Sequence, residues 1–216
     1  MKNITTLIGS LLILCGVYSS KVAAEGFTIG AHGIVGAVEA SGTEHERTDV
    51  GDSGKTAHDA GAIFMGADIF AEYEFSNGLA IGYSMVPMDA DIGSGKRTDT
   101  SARSDAGTDT GDRSASAELT DLTTIYATKT LGGSNSYILF GYHQATVTTA
   151  ETLPNSTYGD DDIFGYQIGF GAKSGNVKTE IFYSDFEDIS ISGTGGNSNK
   201  VTADADALTL RFAYGF

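Results

Sequence analysis

Hydrophobic and polar positions alternate with a period of two along most of the chain, which is typical of β-strands and not of helices. The clearest run closes the chain, with one wholly apolar face and one face of small or polar residues. The apolar positions of this run are Leu208, Leu210, Phe212, Tyr214 and Phe216. A second run extends from Ile63 to Phe75, and the pair Asn77 and Gly78 that follows it favours a tight hairpin turn.

The same pattern recurs often enough to predict eight strands. They lie at about residues 26–40, 63–75, 79–85, 119–131, 136–148, 164–172, 177–183 and 208–216. Short turns at 76–78, 132–135 and 174–176 alternate with long polar loops at about 41–60, 89–117, 149–162 and 192–203. A tilted strand needs ~9–11 residues to cross a bilayer, and these runs suit that length.

This layout predicts an all-β fold, an eight-stranded antiparallel up-and-down transmembrane β-barrel with short periplasmic turns and long extracellular loops. Hydrocarbon offers no hydrogen-bond partners, so every strand edge has to be paired, and only a closed sheet achieves this. The first strand, from Gly26, should therefore pair with the last. A secreted β-sandwich also has alternating strands, but it needs neither such long strands nor the alternation of short and long connections.

The first 24 residues have the layout of a secretory signal peptide. Lys2 precedes an apolar run at residues 4–17, and the segment ends on Ala23 and Ala24. Cleavage after Ala24 would leave an outer-membrane barrel domain at residues 25–216.

Loss of this segment would also change the composition of the chain. The single cysteine, Cys15, would be removed, which leaves no disulfide. Without Lys2 and Lys21, 11 basic residues stand against 28 acidic ones, a formal balance of −17. Such a surface repels nucleic acid and favours divalent cations or cationic partners.

Charged residues also occur on the face that the strand pattern turns inward. These are Asp68, Glu72, Glu74, Lys178, Glu180 and Arg211. An eight-stranded barrel is just wide enough inside for side chains to fill it. One interpretation is a salt-bridged plug, because an unpaired buried charge is costly. The other is a narrow cation path lined by excess carboxylate. The limited bore favours the plug.

The loops and histidines point to no defined chemistry. Acidic loop residues suit calcium or magnesium, but none has the spacing of a calcium-binding loop, so we predict no metal site and no cofactor. We expect His45 and His58 in loops and His143 inside the barrel, with Phe140 and Tyr142 facing outward. No nucleophile–base pair stands out, and we predict no catalytic residue.

The segment Leu208–Phe216 resembles the terminal strand of bacterial outer-membrane proteins, in which alternating apolar residues and a final phenylalanine are the signal for the insertion machinery. The whole layout resembles the small barrels of the OmpA-domain, OmpX, Ail and OmpW kind, often called porin-family proteins. The resemblance implies a monomer in the Gram-negative outer membrane, in contact with lipid and lipopolysaccharide. The acidic loops, by their composition, make divalent cations a further candidate partner.

From these observations we expect a non-enzymatic protein with a structural or surface-interaction role in envelope integrity. The alternative is a narrow porin-like channel for small cationic or neutral solutes. An outer-membrane enzyme acting on lipid A or peptides is the least favoured class.

Overall fold

The structure is a computed structural model that describes residues 26–45, 55–99, 111–132, 134–152, 156–195 and 200–215. The predicted signal peptide and Phe216 lie outside these residues. No helix long and apolar enough to cross a membrane occurs in the described ranges.

Every regular element of the described chain is a β-strand. The strands are β1 (Gly26–His45), β2 (Lys55–Glu74), β3 (Leu79–Met85), β4 (Ala90–Asp99), β5 (Gly111–Thr130), β6 (Ser136–Glu151), β7 (Ser156–Thr157), β8 (Asp161–Ser174), β9 (Val177–Ser192), β10 (Thr194–Gly195) and β11 (Lys200–Gly215). β3 and β4 pair with successive parts of β5 and act together as one strand of the wall. β7 and β10 form a separate small ribbon.

The remaining strands form a closed antiparallel barrel of eight wall strands. β1 pairs with β11 from Gly30 opposite Gly215 to His45 opposite Lys200, which confirms the predicted pairing of the first and last strands. The ladders β2–β3 and β3–β5 complete the circle. We call the end of the barrel that carries the three tight turns the turn end, and the opposite end the loop end.

The three tight turns occur where the sequence predicts them. Gly78, Gly132 and Gly175 have positive φ values of 74°, 50° and 60°, a backbone conformation that favours glycine. At the first turn, the Asn77 side-chain oxygen accepts a hydrogen bond from the Leu79 backbone N–H at 2.9 Å. A local side-chain bond of this kind stabilises the reversal.

The four long loops are shorter than predicted, because the strands continue into them. β1 and β2 stay paired as far as His45 and Lys55, and β4 together with the start of β5 occupies more than half of the predicted loop at 89–117. His45 and His58 therefore lie in strands, and their assignment to loops was wrong. The bilayer sets only a minimum strand length, and ladder hydrogen bonds remain favourable beyond it. These extensions are polar or small on both faces, so no alternation marks them.

Apolar side chains on the outer face form a continuous band around the barrel. Ile63 and Met65 are 80% and 83% exposed, and Phe140 and Tyr142 also face outward as predicted. The inner face carries most of the buried charged and polar side chains. This inversion of the usual soluble arrangement is the one a membrane barrel requires.

Candidate functional site in the charged barrel interior

Large inward side chains fill the bore by lying across glycines of neighbouring strands. The ring of Tyr137 lies over Gly171, and a methyl group at that glycine would overlap the ring. The same arrangement sets Tyr126 over Gly82, Phe70 over Gly30, Phe64 over Gly36 and Gln167 over Gly141. Small positions on the wall thus make room for large side chains across a narrow bore.

Two ion pairs occupy the interior near the turn end. Lys178 Nζ lies 2.5 Å from Glu72 Oε1, and both side chains are buried. Lys173 Nζ lies 2.8 Å from Glu74 Oε2, with 30% of the lysine side chain exposed. The ammonium group of Lys178 is also 5.2 Å from the centroid of the Phe70 ring. The amine is therefore held by a carboxylate and an aromatic face together.

Arg211 forms the centre of a second charged group, further from the turn end. Its Nε and Nη2 atoms lie 2.6 and 2.5 Å from Glu180 Oε2, and its Nη1 lies 3.4 Å from Asp68 Oδ2. Tyr137 donates a hydrogen bond of 2.6 Å to the other oxygen of Glu180. His32 Nδ1 contacts the other oxygen of Asp68. Both carboxylates are thus engaged through both oxygens.

Aromatic rings flank this central group. The guanidinium carbon of Arg211 lies 4.9 Å from the centroid of Phe182 and 5.6 Å from that of Tyr126. His32 stacks on Phe70 with 4.3 Å between ring centroids. Charged groups and rings together cross the bore and leave it filled.

The structure places all six charged residues of the sequence analysis in the barrel interior, none more than 7% exposed. Each takes part in an ion pair within the two groups described above. The sequence analysis did not single out His32, Tyr137 and Lys173. His32 could have been found, because Phe27 and Ile29 alternate outward on its strand and give its position the inward parity.

The outward residues of the last strand form a continuous apolar surface with those of the neighbouring strands. Phe212 and Tyr214 are 50% and 53% exposed, and Leu208 and Leu210 are partly covered. The residue that would end this row, Phe216, lies outside the described residues.

A neutral polar group lies on the loop side of Arg211. His143 Nδ1 is 2.7 Å from the Thr124 hydroxyl, and its Nε2 is 3.0 Å from the Ser184 hydroxyl. All three side chains are buried, and the imidazole stacks on Phe186. The second nitrogen of the imidazole contacts a hydroxyl here, whereas a Ser–His–Asp triad would have a carboxylate at this position.

No protein-family model matches this chain, and no curated protein does so. Among solved structures, the outer membrane protein OprG from Pseudomonas aeruginosa is similar, with 14% identity and a TM-score of 0.51 over 87% of this chain and 96% of that chain. The chain has the fold of a small bacterial outer-membrane barrel. At this identity the likeness extends to the fold alone.

Two further small surface barrels are similar at lower scores. Neisserial surface protein A has 15% identity and a TM-score of 0.38, over 85% of this chain and 97% of that chain. The attachment invasion locus protein Ail of Yersinia pestis has 14% identity and a TM-score of 0.35, over 87% and 99%.

The wall of this outer-membrane barrel has a lateral gap towards the loop end. The β2–β3 ladder ends where Ile69 pairs with Met85. Beyond this point β4 pairs with β5 alone, and residues 55–68 of β2 pair with β1 alone. Within residues 55–99, all of which the structure describes, no ladder joins β2 to β4.

A break in β3–β4 and a bulge in β5 accompany the gap. Pro87 has no N–H to donate, and it separates β3 from β4. Opposite it, Asp121 has a φ of 55°, and the β5–β6 register shifts between Thr120 and Thr123. One hydrogen bond spans this irregular stretch, from Val86 N–H to Leu122 O at 2.9 Å. Bulges of this kind re-aim a strand.

An apolar cluster lies inside the barrel at the same end. Its buried members are Ala145, Val147, Ile163 and Ile191, and Leu119 and Phe186 pack against them. On β2, Gly66 faces inward beside the gap, and a methyl group at that position would meet nothing within 4 Å. In the loop half, the interior is thus apolar at this cluster and open beside Gly66 on β2.

Carboxylates mark the loop-side limit of the apolar band. Moving towards the loop end, the outward row of nearly every wall strand changes from apolar to acidic. The residues at this change are Glu39, Asp59, Asp121, Asp162, Asp185 and Asp206, with Asp89 in the break between β3 and β4, and we call these seven the acidic collar. On β6 the corresponding residue is Gln144. Asp206 is the direct cross-strand neighbour of both Glu39 and Asp185, so like charges stand side by side.

The ion pairs of Arg211 and Lys173 differ in burial, and we expect them to differ in energy. Arg211→Met should destabilise the barrel by about 3–5 kcal/mol, because it leaves Glu180 and Asp68 buried without their cation. Lys173→Met should cost less than about 1 kcal/mol, because its pair is partly exposed. Reversible urea unfolding in lipid vesicles measures both changes.

Adding Glu180→Gln to Arg211→Met should recover part of the loss, since one of the unpaired charges is then removed. Equal destabilisation by Arg211→Met and Lys173→Met would show that the central group is not the main stabilising element of the interior.

Proposed function

We propose that this chain is a non-enzymatic integral outer-membrane protein, with a closed bore and a structural role at the cell surface. The observation that carries the proposal is the ion-paired group around Arg211, which crosses the bore together with two flanking rings. We also propose that residues 1–24 are a cleaved signal peptide. The outward row of β11, followed in the sequence by Phe216, would then be the signal for the insertion machinery.

The filled bore argues against the narrow channel for small cationic or neutral solutes. A conducting path along the axis would have to separate Arg211 from Glu180 and Asp68, and separating a buried pair is costly. The carboxylates that might attract cations already hold Arg211, Lys178 and Lys173.

The interior chemistry gives little support to an enzyme acting on lipid A or peptides. Within the described residues, one histidine is hydrogen-bonded to a serine, His143 to Ser184, and both are buried inside the barrel. The imidazole of His143 is also stacked on the ring of Phe186. We therefore propose no catalytic residue.

The acidic collar supports a specific surface contact. It lies at the level where the apolar band ends, which is where lipid headgroups meet the wall. Lipopolysaccharide carries phosphate groups at that level, and phosphate would be repelled by carboxylates without an intervening cation. Divalent cations such as magnesium take oxygen ligands from carboxylates and phosphates together. We propose that such cations bridge the collar of the monomeric barrel to lipopolysaccharide.

The bridging proposal predicts that magnesium stabilises the folded barrel in vesicles containing lipopolysaccharide. Asp185→Asn/Asp206→Asn should lose most of this gain, because it neutralises one cross-strand pair of the collar. The same double variant should be more stable than the wild type in EDTA, since it relieves repulsion between neighbouring carboxylates. Urea unfolding with and without magnesium measures both effects.

A matched control is Asp91→Asn/Glu118→Gln, which neutralises a cross-strand pair on β4 and β5 beyond the collar. It should keep the magnesium response. An unchanged response in Asp185→Asn/Asp206→Asn would contradict the bridging proposal.

The lateral gap favours a second candidate, a port for small apolar molecules. A molecule entering at the loop end would meet the apolar cluster, could not pass the charged group around Arg211, and could leave between β2 and β4. Ile63 and Met65, on the free edge of β2, would give this exit an apolar border.

The port predicts that Gly66→Phe slows uptake of the fluorescent apolar probe 1-N-phenylnaphthylamine by cells that produce the protein. The ring would enter open space beside the gap, so the barrel should still fold. Gly33→Phe is the matched control, because Gly33 has equally open surroundings but faces outward. Uptake that is unchanged by Gly66→Phe, or slowed equally by both variants, would exclude the port.

A further inference from the structure

A groove on the outer surface of the barrel lies at the loop-side limit of the apolar band. It runs between outward side chains of β6, β8 and β9, and Gly165 and Phe186 also line it. Its sides are formed by Tyr142, Phe164, Tyr166, Asp185 and Glu187. Aromatic rings and carboxylates thus share one small concave surface, and neither the bore nor the lateral gap includes it.

Three aromatic rings form one side of the groove. Tyr142 stacks nearly parallel on Phe164, with 5.8 Å between centroids and 15° between ring planes. Tyr166 stands 5.3 Å from Tyr142 at an angle of 58°. The three rings are therefore not all parallel, and all three residues line the groove. The negative face of an aromatic ring attracts a cation, most strongly when several faces surround it.

Two carboxylates form the other side. Asp185 is the direct cross-strand neighbour of Tyr166. Glu187 follows two residues later on the same outward face, and its Oε1 accepts a hydrogen bond of 3.2 Å from the Phe164 backbone N–H. That bond fixes the carboxylate beside the rings. Within the described residues, neither carboxylate forms an ion pair with lysine or arginine.

We propose that this groove binds the protonated amine of a lipid headgroup. Aromatic faces beside two carboxylates that form no ion pair with lysine or arginine are complementary to an ammonium group on a short carbon chain. The groove lies where the lipid-facing residues Phe140 and Ile168 give way to acidic ones, so its ligand should have a chain in the bilayer and a cation at the surface.

The groove differs from the proposed magnesium bridges in its aromatic rings, because magnesium in water takes oxygen ligands in preference to ring faces. The aromatic residues therefore separate the two ideas. Tyr142 and Tyr166 should matter for an amine lipid and not for the magnesium response. Asp185 belongs to both the groove and the collar, so its substitution alone would not distinguish them.

The test is native mass spectrometry of the barrel released from neutral detergent micelles, with phosphatidylethanolamine as the probe. N-acetyl phosphatidylethanolamine is the matched lipid, since acetylation removes the positive charge and keeps the rest of the headgroup. We expect the amine lipid to be retained more strongly than its acetylated form. Tyr142→Ala/Tyr166→Ala should weaken that retention about tenfold, given the usual strength of two cation–π contacts.

Tyr83→Ala is the control, because Tyr83 is an equally outward tyrosine whose cross-strand neighbours, Ala71 and Ile125, are apolar. It should retain the amine lipid as the wild type does. Equal retention of the two lipids by the wild type would overturn the proposal, as would full retention by Tyr142→Ala/Tyr166→Ala. Preference for soluble oligolysine over the amine lipid would also overturn it and identify a cationic peptide as the partner.

Discussion

The bilayer supplies no hydrogen-bond partners to a strand, so the sheet has to close, and closure with eight strands fixes the space inside. The interior of this barrel follows from that limit. Wall glycines such as Gly82 and Gly171 make room for the rings of Tyr126 and Tyr137. Charged side chains that enter the same space have to pair there, and Arg211 does so with Glu180 and Asp68.

The two halves of the barrel differ in how their strands pair and in how the limited interior space is filled. In the turn half every wall strand is paired on both edges, and ion pairs fill the bore. In the loop half the β2–β3 ladder stops at Ile69, and β4 diverges from β2. The interior there is apolar and partly open, and the outer surface carries the collar and the aromatic groove. The proposed surface contacts and the proposed exit into the membrane both lie in the loop half.

The sequence pattern was sufficient to predict the barrel, because period-two alternation persists wherever one strand face meets lipid. It also gave the inward parity of Asp68, Glu72 and Arg211. It did not give their partners, since pairing across the bore depends on register and rotamer. The contact of Tyr137 with Glu180 was missed for that reason, whereas the outward positions of Phe27 and Ile29 were enough to place His32 inside.

The loop half was harder to predict, for a physical reason. Strand extensions such as Lys55–Gly61 and β4 are polar or small on both faces, so alternation does not reveal them. The lateral gap depends on a pairing that fails to form between β2 and β4. Pro87 in the sequence indicates a break in a strand. It does not indicate which pair of strands lacks a ladder.

Paired charges close the bore of this barrel. Single-channel recording in planar bilayers tests whether they do so. The refolded wild-type barrel should give no stable current steps. Arg211→Ala, which removes the cation that crosses the bore, should give brief openings if the variant folds. Stable, cation-selective steps from the wild-type protein would contradict the account.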